Sequence, residues 1–248
     1  MHLLERYALS CGVQIDKPCI EEAFFPLSCE KYIILHASSG MNSKNYDYYN
    51  DVVDLILPYL TEHQIKIIQI GSPEDPPIKN CYPTNGRTNI KQAAYLIKNS
   101  LLVLGNDSFS SHMASGCGIK SVTTFGGSNY LQCCAPYWGN KQRGILIEAD
   151  RQGQKPSFAT EENPKIINSI HPEKIAAAVL TQLCIPHTLS TIETLLMGSL
   201  YHLPTLDIVP DHVANGPLFA GSLMHLRLDY EFNQEVIPSW CDHNRKLI

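Results

Sequence analysis

Several features are missing from this sequence of 248 residues, and each absence removes a class of function. No apolar run approaches the roughly 20 residues of a membrane-spanning helix, which leaves only peripheral membrane contact open. The 19 Lys and Arg are scattered among 24 Asp and Glu for a net charge of −5, so no basic stripe offers a nucleic-acid footprint. The opening residues MHLLERYALS lack the basic start and long apolar stretch of a secretory signal. The 9 cysteines are odd in number, form no C-x-x-C pair and include the adjacent Cys133 and Cys134. That pattern fits reduced thiols in a cytoplasmic protein better than a disulfide framework or a zinc ribbon. Acidic residues do not gather for a divalent cation, so no metal and no cofactor are expected. Neither G-x-G-x-x-G nor G-x-x-x-x-G-K-[ST] follows a strand, and no G-x-S-x-G occurs. Dinucleotide, P-loop and α/β-hydrolase readings therefore fail.

What is present is an alternation of short apolar runs with amphipathic segments. Strands are predicted at residues 32–37, 65–70, 101–104, 119–125 and 145–147. Helices are predicted at 1–12, 46–64 (kinked or cut at Pro58), 89–99, 108–115 and 171–183. This alternation predicts an α/β domain with a doubly wound parallel sheet. Three segments are expected: a helix and Pro-containing linker over 1–28, the α/β domain over 29–185, and a small added or truncated module over 186–248. In that last segment 206–209 and 223–228 read as strands, and an apolar run opens at 246–248.

The most informative stretch is 101–127, LLVLGNDSFSSHMASGCGIKSVTTFGG. A buried strand breaks at a polar turn, a short helix follows, Gly116 and Gly118 close it, and a second strand resumes. The turn sits at the carboxyl end of its strand, the edge where open α/β sheets bind ligands. The following helix turns its N–H groups toward the same crevice, a favourable place for phosphate oxygens. Two more loops leave neighbouring strands at that edge. One carries Ser38, Ser39, Gly40 and Lys44; the other carries Gly71, Ser72 and Glu74. Together with Asn106, Asp107, Ser108 and His112 they supply a cation for phosphate, a carboxylate for ribose hydroxyls and a helix N-terminus. That inventory suits a nucleotide or nucleotide-linked sugar.

Taken singly, each residue also has a plainer reading. Asp107 and Ser108 read as a helix N-cap. His112, one turn beyond Ser108, reads as a hydrogen-bonded core histidine. Lys44 and Glu74 read as solvated surface charges. Their convergence on one edge of a sheet favours the ligand reading.

The run GNDSFSSHMASGCGIKSVTTFGG resembles the signature of glycosyltransferase family nine, the heptosyltransferase-like enzymes, approximately G-N-D-S-G-x-x-H-x-A followed by a strand ending Phe-Gly. Residues 88–104 are similar to the helix and strand that precede this signature, 34–44 to the family's lysine-bearing loop, and 71–74 to its G-x-x-x-E-type loop. The likeness covers 31–127 well and 1–12 weakly. It implies the nucleotide-sugar-binding, C-terminal half of a GT-B enzyme with a Rossmann-like fold, and residues 1–28 as the tail of an acceptor domain. It implies that Lys44 meets the diphosphate or the sugar, Glu74 the ribose and Asp107 the donor sugar. Ser108, with the N–H groups after it, would hold the pyrophosphate, and His112 would support the loop. The implied reaction transfers a sugar from an ADP-heptose-like donor to a hydroxyl of a glycan or glycolipid, such as a lipopolysaccharide core sugar, without metal. The catalytic base is expected from the acceptor domain. Phe109 stands where the family has glycine, which crowds the approach of backbone to diphosphate. Two alternatives accompany this reading: a non-catalytic nucleotide-sugar-binding module, and a nucleotide-sugar 2-epimerase.

Overall fold

The computed structural model describes residues 1–127, 130–139, 142–189, 205–213, 223–229 and 231–245. They fall into two compact units, Met1–Thr194 and Leu195–Ile248.

In the first unit the strands are β1 (Tyr32–His36), β2 (Lys66–Gln69), β3 (Tyr82–Pro83), β4 (Val103–Asn106), β5 (Ser121–Phe125) and β6 (Gly144–Glu148). They form one parallel sheet in the order β3-β2-β1-β4-β5-β6. The helices are α1 (Leu3–Cys11), α2 (Tyr49–Glu62), α3 (Ile90–Lys98), α4 (Phe109–Cys117), α5 (Leu131–Cys134) and α6 (Pro172–Gln182). This is the doubly wound parallel sheet that the alternation predicts and the Rossmann-like fold that the family resemblance implies.

Every residue of β1 is buried, as expected of a central strand covered on both faces. Alternation divides its side chains between the two layers. Tyr32 and Ile34 join Ile68, Val103, Leu96 and Ile97 in a cluster under α3 and α4. Ile33 and Leu35, both fully buried, face the other way, and α2 and α6 pack against one another. Strand order reverses between β1, whose next neighbour in sequence lies on one side, and β4 on the other. The carboxyl ends of this pair therefore flank the crevice.

The structure departs from the sequence reading in several places, among them α5 and the helix at Ile237–Arg245, where no helix is predicted, and β4, which takes in Gly105 and Asn106 of the expected turn. Of the two outcomes expected at Pro58, a kink or an end, the end does not occur: helix α2 runs through Pro58 to Glu62. Pro58 and Asp54, whose carbonyl it leaves without an intrahelical partner, are both exposed, so water can satisfy the freed group. Gly116 lies inside α4, and only Gly118, in the left-handed region at φ 70°, closes the helix. A Cβ on Gly116 would stand 2.8 Å from the Ile20 side chain, so glycine here admits the 1–28 segment against α4. Strand β3 was not predicted; two exposed residues carry no periodic signal. Finally, Ile119 and Lys120 precede β5 instead of belonging to it.

The second unit contains β7 (Thr205–Ile208) and β8 (Leu223–Leu226), paired in parallel, and α7 (Ile237–Arg245). Trp240 is buried and donates its Nε1–H to the His212 carbonyl at 2.8 Å. The apolar run at 246–248 lies outside the described residues. Among the described residues no helix is long and apolar enough to cross a membrane.

Candidate donor site

The site is built on the last residue of β4. Asn106 is fully buried and all of its polar atoms are used within the fold. Its Nδ2 donates to the Ala37 carbonyl at 2.6 Å, which ties β4 to the loop after β1. Its Oδ1 accepts from the Tyr49 hydroxyl at 2.9 Å and from Thr124 Oγ1 at 3.1 Å. Asn106 therefore braces the crevice from below and presents no group to it.

Asp107 does the opposite. Its carboxylate accepts from Lys44 Nζ at 2.6 Å through Oδ2, while His112 Nε2 stands 3.7 Å from Oδ1. Burial alone would push this carboxyl up, but the His112 imidazole and the Lys44 ammonium outweigh it and hold Asp107 below its ordinary range. Lys44 closes a 3-10 turn, Asn42–Lys44, whose buried Ser43 donates its backbone N–H to Thr160 and its hydroxyl to Ala159. The lysine is thus delivered by a fixed loop. Ser39 is pinned in the same loop, its N–H donating to Asn45 Oδ1 at 2.7 Å. Three of the residues singled out in sequence, Lys44, Asp107 and His112, meet in one cluster.

Ser108 occupies the N-cap position of α4, but its side chain makes no capping bond. Its carbonyl instead accepts from the N–H and the hydroxyl of Ser111. The capping reading of Asp107 and Ser108 thus gives way: one carboxylate is turned to a lysine and one hydroxyl is left to the crevice.

Beside the cluster lies a cleft of about 450 Å³. Ser38, Ser39 and Gly40 come to it from β1, Gly71 and Ser72 from β2, and Ser108 and Phe109 from β4. Thr88, Asn89 and Ile90 close its far side at the start of α3. Glu74 is not part of this lining; it is exposed and accepts from the Ser72 hydroxyl at 2.8 Å. The carboxylate that faces the cleft is Asp75, oriented by the Ser72 N–H at 2.8 Å. A Cβ on Gly71 would stand 2.1 Å from Asp75 Oδ2, so glycine lets the carboxylate fold back over the turn. Gln69 fixes the loop from inside, donating to the Pro76 carbonyl and accepting from the Ile78 N–H, both at 2.8 Å.

His36 is a further lining residue that sequence reasoning passed over. It is 5 % exposed, its Nδ1 lies 3.0 Å from Ser110 Oγ, and burial pulls its pKa down to about 4 against the opposing pull of Asp75. The imidazole is therefore neutral at pH 7. Its signal in the sequence is position: a polar residue ending an apolar strand, in phase with Ile34 on the α4 side. Among the described residues no group of three or more His, Cys, Asp and Glu is placed to hold a metal ion.

Residues 10–165 match the sequence profile of glycosyltransferase family 9 (heptosyltransferase). The chain belongs to this family. No curated protein sequence matches it. Among solved structures, the family 9 glycosyl transferase from Veillonella parvula is similar at 20 % identity and a TM-score of 0.50, over 62 % of this chain and 46 % of that one. The iron-containing dodecameric glycosyltransferase TibC from enterotoxigenic E. coli aligns at 9 % identity and a TM-score of 0.54, over 74 % of this chain and 54 % of that one. TibC in complex with ADP-D-β-D-heptose aligns at 10 % identity and a TM-score of 0.53, over 70 % and 51 %. At these identities the likeness is one of fold. The family 9 chain described here spans about half the length of these structures. Its fold is that of the part of these transferases with which it aligns.

Proposed function

We propose that this chain binds a nucleoside-diphosphate sugar of the ADP-heptose class and presents it for transfer to a hydroxyl of a glycan or glycolipid, such as a lipopolysaccharide core sugar. The observation that carries this reading is the Lys44–Asp107–His112 cluster beside a cleft at the carboxyl ends of β1 and β4. The diphosphate lies along Ser38, Ser39, Ser108 and the first N–H groups of α4, where the helix dipole and Lys44 favour negative charge. Asp107 and His112 take hydroxyls of the donor sugar. Asp75, in place of Glu74, accepts from the ribose hydroxyls. In the transfer the sugar C1–O bond to the diphosphate breaks, a bond from C1 to the acceptor oxygen forms, and the acceptor proton passes to a base. No residue described above is assigned as that base. Lys44 and the helix amides stabilise the charge that develops on the leaving diphosphate. The nine free thiols suit a reducing, cytoplasmic setting.

Calorimetric titration with ADP, UDP and GDP tests the donor site. One nucleotide should bind selectively, its affinity should fall in Lys44→Ala, and its sugar conjugate should bind more tightly in wild type than in Asp107→Ala. A folded protein that binds none of the three refutes the reading. Phe109, at the family's glycine position, favours a second reading, a binding module without turnover. Product formation with donor and acceptor together separates the two.

A further inference from the structure

The structure assigns Phe109 a task that the family's glycine cannot perform: it is the platform on which the nucleobase of the donor rests. This inference depends on the donor site proposed above. Phe109 is the first residue of α4; it is 37 % exposed and lines the wall of the cleft. An aromatic ring left half open beside a cavity retains apolar surface that a planar ligand can cover. The ring is also held in place. The His36 imidazole meets it edge-on, centroids 4.7 Å apart and planes at 63°, and Ser110 anchors that imidazole at 3.0 Å. With its pKa near 4, His36 stays uncharged at neutral pH, so the support for Phe109 is unaffected by titration there. Ile90, 60 % exposed at the start of α3, adds a second apolar wall to the same cleft. Asp75 supplies a carboxylate to the same lining.

Sequence position divides the donor in the same way. Asp107, Ser108 and Phe109 are consecutive, the first turned to Lys44 and the third to the cleft, with Ser108 between them. A ligand whose diphosphate lies on Ser108 extends its sugar toward Asp107 and its nucleoside toward Phe109. Phe109 is therefore a specificity-determining residue: it makes affinity depend on the base, where a glycine would leave the diphosphate and ribose to carry it.

The obstruction that a side chain brings to this position predicts the opposite sign, so one experiment decides. Affinities of the preferred nucleoside diphosphate and of base-free ribose 5-diphosphate are measured by calorimetry for wild type, Phe109→Gly, Phe109→Trp and Lys44→Ala, with thermal melting to verify folding. Wild type should prefer the nucleotide by about tenfold or more, the range of one base stacked on an aromatic side chain. That preference should collapse toward unity in Phe109→Gly and survive in Phe109→Trp, while Lys44→Ala weakens both ligands alike. An unchanged preference in Phe109→Gly, or tighter nucleotide binding by that variant, overturns the platform and leaves the donor site standing. Failure of folded wild type to bind either ligand overturns the donor site, and the platform with it.

Discussion

Asn106 and Asp107 are consecutive residues at the end of β4, and their side chains serve opposite ends. Asn106 is turned inward and satisfied from three directions, by Ala37, Tyr49 and Thr124. Asp107 is turned to the crevice edge and engaged by groups that a ligand can also use, Lys44 and His112. The first arrangement fixes where the loop is; the second sets what the loop offers. The difference teaches that polarity at a sheet edge is not by itself a sign of a binding residue. The test is whether the partners belong to the fold or can be shared with a ligand.

Substitutions should separate these duties. Asn106→Ala should have the largest effect, a loss of roughly 3 kcal/mol measured by urea unfolding, because several buried partners are left unsatisfied together. Asp107→Ala should alter stability far less and sugar-nucleotide affinity far more; equal unfolding costs for the two would break the comparison. His36→Gln comes next and acts through pH. A histidine with a folded pKa near 4 against an ordinary 6.5 stabilises the fold above about pH 6.5, and that contribution is lost as pH falls toward 4. The wild-type melting temperature should therefore decline across this window, and the substitution should flatten the decline. Lys44→Ala should reduce nucleoside-diphosphate affinity at least tenfold, as expected for a charge-assisted contact, and should also lower stability, because the buried Asp107 carboxylate loses its ammonium partner. The smallest effects distinguish two neighbours: Asp75→Asn should weaken nucleotide binding several-fold, and Glu74→Gln less than twofold. The reverse order would move the ribose contact out of the cleft.

Much of the fold was legible because buried parallel strands announce themselves. Runs such as YIILHA and IKIIQI are apolar on both faces, and turn residues bound them. The cluster was legible for a related reason, since the loops after β1 and β4 must meet once those strands are neighbours. The illegible parts depended on contacts between distant residues. The duty of Asn106 is decided by Tyr49 and Thr124, which no local pattern connects to it. The choice between Glu74 and Asp75 depends on a Ser72 N–H and on the open side of Gly71, invisible in two adjacent carboxylates. His36 hid inside an apolar strand, and β3 is too short and too exposed to leave a pattern.

The position of β1 in the sheet has a consequence for the order of assembly. On one side it pairs with β2, with Tyr32 opposite Lys66; on the other Ile34 waits for Val103. As the chain leaves the ribosome, β1, α2 and β2 can come together early, while one edge of β1 stays open until β4 has been made. Closure of that edge joins the two halves of the sheet and brings Lys44 and Asp107 together in the same step. A chain that stops short of β4 carries the loops after β1 and β2 but neither Asp107 nor Ser108 and Phe109, so the crevice is completed only when β4 joins β1.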